Sequence, residues 1–209
     1  MLTIYFIRHG QTMWNKEGKF QGSQDSPLTD IGIEQANKLA AKFERENFIF
    51  DKVYSSPLGR AFKTAKLITK NRYEITPLEE FREISVGDME GVDFHDFKSR
   101  FPDEYHNFFY SPVDYNPEKI NGESFLSLMT RIESGLNRIV TENSDESKVL
   151  VVTHGITLRG ILSYIKNNGI SLENFSKEEV PENTSITTIK FHEGNFSIED
   201  FSNILHLEY

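Results

Sequence analysis

The chain has 209 residues, 37% hydrophobic and 26% charged, with 17 phenylalanines, which supports a packed core and excludes a disordered segment. A formal charge of −9 argues against a nucleic-acid binder but not against an anionic substrate held by a local basic cluster, and the lack of cysteine excludes disulfides, thiolate catalysis and cysteine-held metals. No apolar run approaches a membrane span, and residues 2–7 lack the basic lead-in of a signal peptide, so a cytoplasmic protein without membrane partners is expected.

Leu2-Thr3-Ile4-Tyr5-Phe6-Ile7 is a short, nearly continuous apolar run, the pattern of a strand buried on both faces. Ile33, Ala36, Ala40 and Phe43 then share one helical face, with Thr29 or Asp30 as N-cap. Lys52-Val53-Tyr54 is a weaker strand. Ser56-Pro57 reads as N-cap followed by proline at the first helical position, opening a helix to about Ile68. Residues 92–117 carry Phe94, Phe97, Phe101, Tyr105 and Phe108 at spacings of three and four. The plain reading is a helix burying an aromatic stripe; the sharper one is a cap whose rings also touch substrate.

Phe125, Leu128, Met129, Ile132, Leu136, Ile139 and Val140 form the clearest amphipathic stripe in the chain. Val149 to Val152 is a second buried strand, followed at once by a helix from Ile156 to about Ile165. Ile186 to Phe191 and Phe196 to Phe201 flank His192-Glu193-Gly194-Asn195, a hairpin signal. Strands alternating with helices predict an α/β three-layer sandwich, a mostly parallel sheet covered on both faces, with an antiparallel edge. No repeat or linker interrupts it, so residues 1–209 read as one domain.

Ligands of an open parallel sheet bind beyond the carboxyl ends of its strands. Two of the predicted strands end in histidine-glycine, at Arg8-His9-Gly10 and Thr153-His154-Gly155, so both histidines should emerge on one edge. Each glycine would let the chain turn and bring backbone close to a ligand. Ser55-Ser56-Pro57-Leu58-Gly59-Arg60 follows a strand and opens a helix at the same edge. An arginine in a first turn opposes the helix dipole unless an anion lies between them. Arg60 alone is an ordinary surface arginine; beside Arg8 and two histidines it points to bidentate binding of phosphate.

These motifs resemble the histidine phosphatase superfamily, in the branch shared by phosphoglycerate mutases and their phosphatase relatives. The signature is Arg8-His9-Gly10-Gln11-Thr12-Met13-Trp14-Asn15, followed by Gln21-Gly22, Asp25-Ser26-Pro27-Leu28-Thr29 and Ser55 to Arg60. Glu83-Ile84-Ser85-Val86-Gly87, Glu90-Gly91, Gly122-Glu123-Ser124, Thr153-His154-Gly155 and His206-Leu207 continue it in order.

The resemblance implies that His9 is the nucleophile and forms a phosphohistidine. Arg8, Arg60 and His154 would depress its pKa, and with Asn15 would hold the transferring phosphoryl group. Glu83 would protonate the leaving oxygen and later deprotonate the attacking water, with Glu90 and Asp88 as local rivals. Gln21 and Gly22 would contact substrate at the pocket rim. His95, His106, His192 and His206 read as structural or surface residues. No metal-ligand spacing is present, so no metal or cofactor is expected. The favoured substrate is a small-molecule phosphomonoester, and the favoured activity is hydrolysis. A cofactor-dependent phosphoglycerate mutase and a non-catalytic phosphoester-binding regulatory domain are the alternatives.

Overall fold

The computed structural model describes residues 1–208; Tyr209, the last residue of the expected domain, lies outside the described part. Six strands form one sheet: β1 (Leu2–Arg8), β2 (Lys52–Ser55), β3 (Ile75–Pro77), β4 (Lys148–Thr153), β5 (Ile186–His192) and β6 (Asn195–Asn203). Their order is β3-β2-β4-β1-β5-β6. The first four run parallel; β5 is antiparallel to β1, and β6 to β5. The mostly parallel sheet with an antiparallel edge is therefore present.

The alternating side chains of the central strands fill two separate cores. Ile4, Phe6, Val149 and Val151 face one side, where they meet Leu128, Ile132 and Leu136 of α6 (Phe125–Glu142) and Leu158 and Ile161 of α7 (Gly155–Lys166). Ile7, Leu150 and Val152 face the other, against Ala36, Leu39 and Phe43 of α2 (Asp30–Arg45) and Ala61, Ala65 and Ile68 of α3 (Gly59–Thr69). Each buried valine, leucine, isoleucine or phenylalanine among these contributes about 1.5–3 kcal/mol, and the alanines less. Thr29 caps α2 through the amide of Gly32, and Ser124 caps α6 through Ser127.

Three local readings change. The aromatic segment is two helices, α4 (Phe94–Arg100) and α5 (Pro102–Tyr110), because Pro102 forces Phe101 out of the helical region (φ −134°, ψ 65°). α3 begins at Gly59 rather than Pro57, and the Ser56 hydroxyl, which accepts from the Leu58 amide at 3.3 Å ahead of the helix, also bonds the His154 ring at 2.7 Å. The short strand β3 and the five-residue helix α1 (Met13–Glu17) carry too little periodicity to be predicted. Among the described residues, no helix is long and apolar enough to cross a membrane.

The register aligns the site. Arg8 pairs with Thr153 and Ser55 with Val152, so His9, His154 and Ser56 each lie one residue beyond a parallel strand, on the same edge. The His9 amide donates to Thr153 O at 2.9 Å and the Ser56 amide to Val152 O at 2.8 Å, extending the ladder by one rung.

His206, near the chain's end, is buried in a short turn against α2, with Nε2 3.3 Å from Thr184 Oγ1. Burial, reinforced by Lys42 and Lys38, pushes its pKa down from 6.5 to about 4. A depressed histidine pKa means that the unfolded chain binds the proton first. The contribution of His206 to stability should therefore fall as pH drops from about 6.5 to about 4 and level off below that. His206 alone should account for up to roughly 3 kcal/mol of the loss. Denaturant unfolding of His206→Gln against the parent chain across this range checks it: the variant's stability should depend less steeply on pH.

Candidate active site

One cavity of about 190 Å³ opens at the carboxyl edge of the sheet, and seven of the eight expected site residues line it: Arg8, His9, Asn15, Gln21, Gly22, Arg60 and Glu83. The eighth, His154, is fully buried beside His9, with ring centroids 5.3 Å apart. Residues spread over about 150 positions thus converge, because parallel pairing of β1, β4 and β2 delivers them to one edge.

His9 is nearly buried, and its Nδ1 donates to its neighbour's carbonyl, Gly10 O, at 2.8 Å. That bond fixes the neutral tautomer and leaves the Nε2 lone pair free. Burial, then the charges of Arg60 and Arg8, hold the His9 pKa well below the ordinary 6.5, against a smaller opposing effect from Gly10. Desolvation is a larger cause than the arginines that the sequence points to. His154 is likewise held well below its ordinary value, first by burial, then by Arg60. A neutral His9 is the nucleophilic form at pH 7.

The two arginines are gripped in a similar way. Arg60 donates Nη1 to Gln24 O at 2.7 Å and to Asp25 Oδ1 at 3.0 Å, and Nη2 to Gly22 O at 2.7 Å. Arg8 donates Nη1 to Pro181 O at 2.7 Å. In both, Nε is buried with no partner among the described residues, and His154 Nδ1 is in the same state. Buried polar nitrogens are nearly always paired, and these three beside one nucleophile are placed to donate to the oxygens of a bound anion. The Nε–Nη2 edge of a guanidinium suits two oxygens of a tetrahedral anion.

Asp25 answers the question raised by Arg60 near a helix start. Its carboxylate accepts from the Arg60 amide at 3.2 Å as well as from the guanidinium, so the protein supplies its own anion there. The carboxylate fits because residue 59 is glycine: a Cβ would lie 2.2 Å from Asp25 Oδ2. Of the glycines after the histidines, Gly155 lines the cavity and Gly10 does not. A Cβ on Gly10 would lie 2.5 Å from the carbonyl of Gly32, so this glycine permits the loop to touch α2. A Cβ on Gly155 would lie 2.9 Å from Val180 and 3.3 Å from Arg8 Nε. Both serve close packing, and neither has a positive φ.

Asn15 belongs to a capping box: its Oδ1 accepts from the Thr12 amide at 3.2 Å, and Thr12 Oγ1 accepts from the Asn15 amide. The acceptor being engaged, Asn15 has its amide NH₂ left to donate. Glu83 sits against the first turn of α7, where Oε2 accepts from the Ile156 amide at 3.0 Å and Oε1 from Thr157 N at 2.9 Å and Oγ1 at 3.0 Å. Thr157 and Asp25 escaped sequence reasoning about roles. The position of Thr157 one turn after His154 was the available signal for it.

The rivals of Glu83 are otherwise occupied. Glu90 accepts from the amides of Ser23, Gln24 and Val86 and from two serine hydroxyls, and so pins the loop that carries Gly22. Asp88 is exposed and accepts from Asn121 Nδ2 at 3.0 Å. Neither lines the cavity. Its outer wall is apolar: Phe20, Phe94, Phe108 and Phe109 line it with Ile84, Val86, Ile156 and Val180. Phe20 is the hub of this wall, 4.4 Å from the Phe94 ring centroid and 5.8 Å from that of Phe109. Lys19 adds a third cation to the lining, paired with Glu17 at 2.8 Å.

The fold and the histidine-centred site together match the histidine phosphatase superfamily (branch 1), whose family model covers residues 4–204. The chain belongs to that family. It is 32% identical over 206 residues to a metal-independent phosphoserine phosphatase of Arabidopsis thaliana, covering 98% of this chain and 82% of that one. Its fold is similar to that of YhfR from Bacillus stearothermophilus, with a TM-score of 0.90 and 31% identity over 99% of this chain and 100% of that one. A phosphoserine phosphatase variant from Entamoeba histolytica, solved in complex with phosphoserine, has a TM-score of 0.84 at 31% identity, over 99% and 100% of the two chains.

Proposed function

We propose that this protein is a metal-independent phosphatase that hydrolyses small-molecule phosphomonoesters through a phosphohistidine on His9. The observation that carries this reading is the set of three unpartnered nitrogens, on Arg8, Arg60 and His154, around a neutral histidine. The His9 Nε2 lone pair attacks phosphorus as the ester P–O bond breaks, and the leaving oxygen takes a proton from Glu83. Water then attacks the phosphohistidine, Glu83 takes back a proton, and the P–N electron pair returns to His9. Arg8, Arg60, His154 and the Asn15 amide stabilise the equatorial oxygens, the task that metal ions commonly perform in phosphoryl transfer. Gln21 and Gly22 contribute at the rim.

We read the described chain as part of one domain of this family, with residues 92–117 as a cap. Phe94, Phe108 and Phe109 support that reading, since they line the cavity with Phe20 while Phe97 lies in the core. Phosphoserine is the first substrate to test, given the activities and the complex named for the relatives.

A panel of phosphomonoesters assayed in excess EDTA tests the proposal. It should contain phosphoserine, p-nitrophenyl phosphate and 3-phosphoglycerate, the last with and without 2,3-bisphosphoglycerate. Release of inorganic phosphate should survive chelation undiminished. Loss in EDTA with recovery on adding Mg²⁺ or Zn²⁺ would remove the mechanism. Isomerisation of 3-phosphoglycerate without phosphate release would favour the mutase, and no turnover at all a binding domain.

A further inference from the structure

We propose that Glu123 and Arg131 form a brace that holds Glu83 where it can move its proton, so that this pair sets the rate of leaving-group departure without touching substrate. The proposal rests on the reading of Glu83 as the acid and base. Arg131, on α6, donates Nη1 to the carbonyls of Glu80 at 2.8 Å and of Arg82 at 2.6 Å, the latter being the residue just before Glu83. Its Nε and Nη2 hold the two oxygens of Glu123 at 2.8 and 3.0 Å. Glu123 Oε2 in turn accepts from the amide of Ser85 at 3.2 Å, two residues after Glu83. One ion pair therefore grips the backbone on both sides of the carboxylate.

The geometry needs this pair of residue types. A guanidinium can bind a carboxylate side-on and still present its remaining edge to two carbonyls, whereas an ammonium has no such planar fork. The two side chains are only 20% and 18% exposed, so the pair is shielded from much of the solvent that weakens surface ion pairs. Neither residue lines the substrate cavity; both line a separate cavity of about 230 Å³ that shares Glu83 with it. The first turn of α7 orients the Glu83 carboxylate, and α6, through this pair, fixes its backbone. Both residues are thus positioning residues.

An ion pair that only stabilised the fold would, once broken, lower activity toward all substrates alike. A brace for the proton donor would slow poor leaving groups selectively, since displacement of a donor by about 1 Å can cost on the order of 100-fold. The test compares Glu123→Gln and Arg131→Lys with the parent chain, using phosphoserine as alkyl ester and p-nitrophenyl phosphate as aryl ester, with Glu83→Gln as control. For both variants kcat on phosphoserine should fall roughly 10- to 100-fold, with KM nearly unchanged and the aryl ester much less affected. Adding Glu123→Gln to Glu83→Gln should slow phosphoserine hydrolysis no further. Equal losses on the two esters, or none, while Glu83→Gln keeps its selectivity, would overturn the brace alone. A Glu83→Gln control without selectivity would overturn the Glu83 reading and the brace with it.

Discussion

Replacing His9 by alanine should reduce phosphatase activity to near background, a loss on the order of 10⁵-fold or more in kcat, as when the nucleophile of a concerted catalytic unit is removed. The ring is nearly buried, fixed in one tautomer by Gly10 O, and held neutral by burial and two arginines. No other ring in the cavity lining offers a free imidazole nitrogen. His154 is closest, but it has no exposed surface, its Nε2 is bonded to Ser56 at 2.7 Å, and an Nδ1 that donates to a phosphate oxygen carries a proton and has no lone pair for attack. Labelled substrate quenched without acid should leave alkali-stable, acid-labile phosphate on the parent chain and none on His9→Ala. Label on Ser55 or Ser56, or on His154 with His9 intact, would overturn the assignment. Arg8 and His9 act on the same phosphoryl group, so Arg8→Ala combined with His9→Ala should cost little more than His9→Ala alone. Thermal unfolding of the variant separates loss of chemistry from loss of fold.

Glu83→Gln should give the second large effect, and its size should depend on the leaving group. An alkoxide departs slowly without a proton, so general acid catalysis supplies about 10²–10⁴-fold there. A p-nitrophenolate departs unaided. Hydrolysis of an alkyl phosphate should therefore fall far more than that of p-nitrophenyl phosphate, which keeps a smaller loss because Glu83 also activates the water. Glutamine keeps one of the two acceptor oxygens and turns an NH₂ toward the other amide of α7, so thermal unfolding of the variant must accompany the assay to separate lost chemistry from a loosened helix start. Glu90→Gln should instead loosen the loop at Ser23 and Gln24, and through Gln24 O the grip on Arg60. Its signature should be a raised KM with no dependence on leaving group. A steep dependence in Glu90→Gln, with a flat one in Glu83→Gln, would transfer the proton donor to Glu90.

The sheet was readable because its inner strands are buried on both faces, and such strands write themselves as unbroken apolar runs at Leu2 to Ile7 and Val149 to Val152. The two histidine-glycine pairs stood out for the same reason, since they mark where those runs stop. Short elements left no such trace: β3 has three residues and takes its place from pairing with β2. Ser56 was half readable: its hydroxyl does accept from the Leu58 amide ahead of α3, but its bond to the His154 ring depends on a strand far away in the chain. Asp25 and Phe20 were unreadable in their roles because each gains meaning only from a distant partner, Arg60 in one case and the α4–α5 rings in the other. Glu83 is distinguished by the family resemblance and, in space, by the amides of α7, never by its local sequence.

The rung that joins Arg8 to Thr153 also bears on how the protein comes into being. A contact between residues so far apart in the chain is among the last whose loop-closure entropy can be offset during folding, and parallel pairings of this kind make folding slow. During synthesis the nucleophile emerges well before its neighbour strand, which brings His154 and the helix that orients Glu83. No growing or half-folded chain can therefore carry a complete phosphate site, and an unpaired β1 is an open apolar edge until β4 and β5 close on it. Recovery of catalysis in a refolding experiment is then a direct clock for closure of the central sheet.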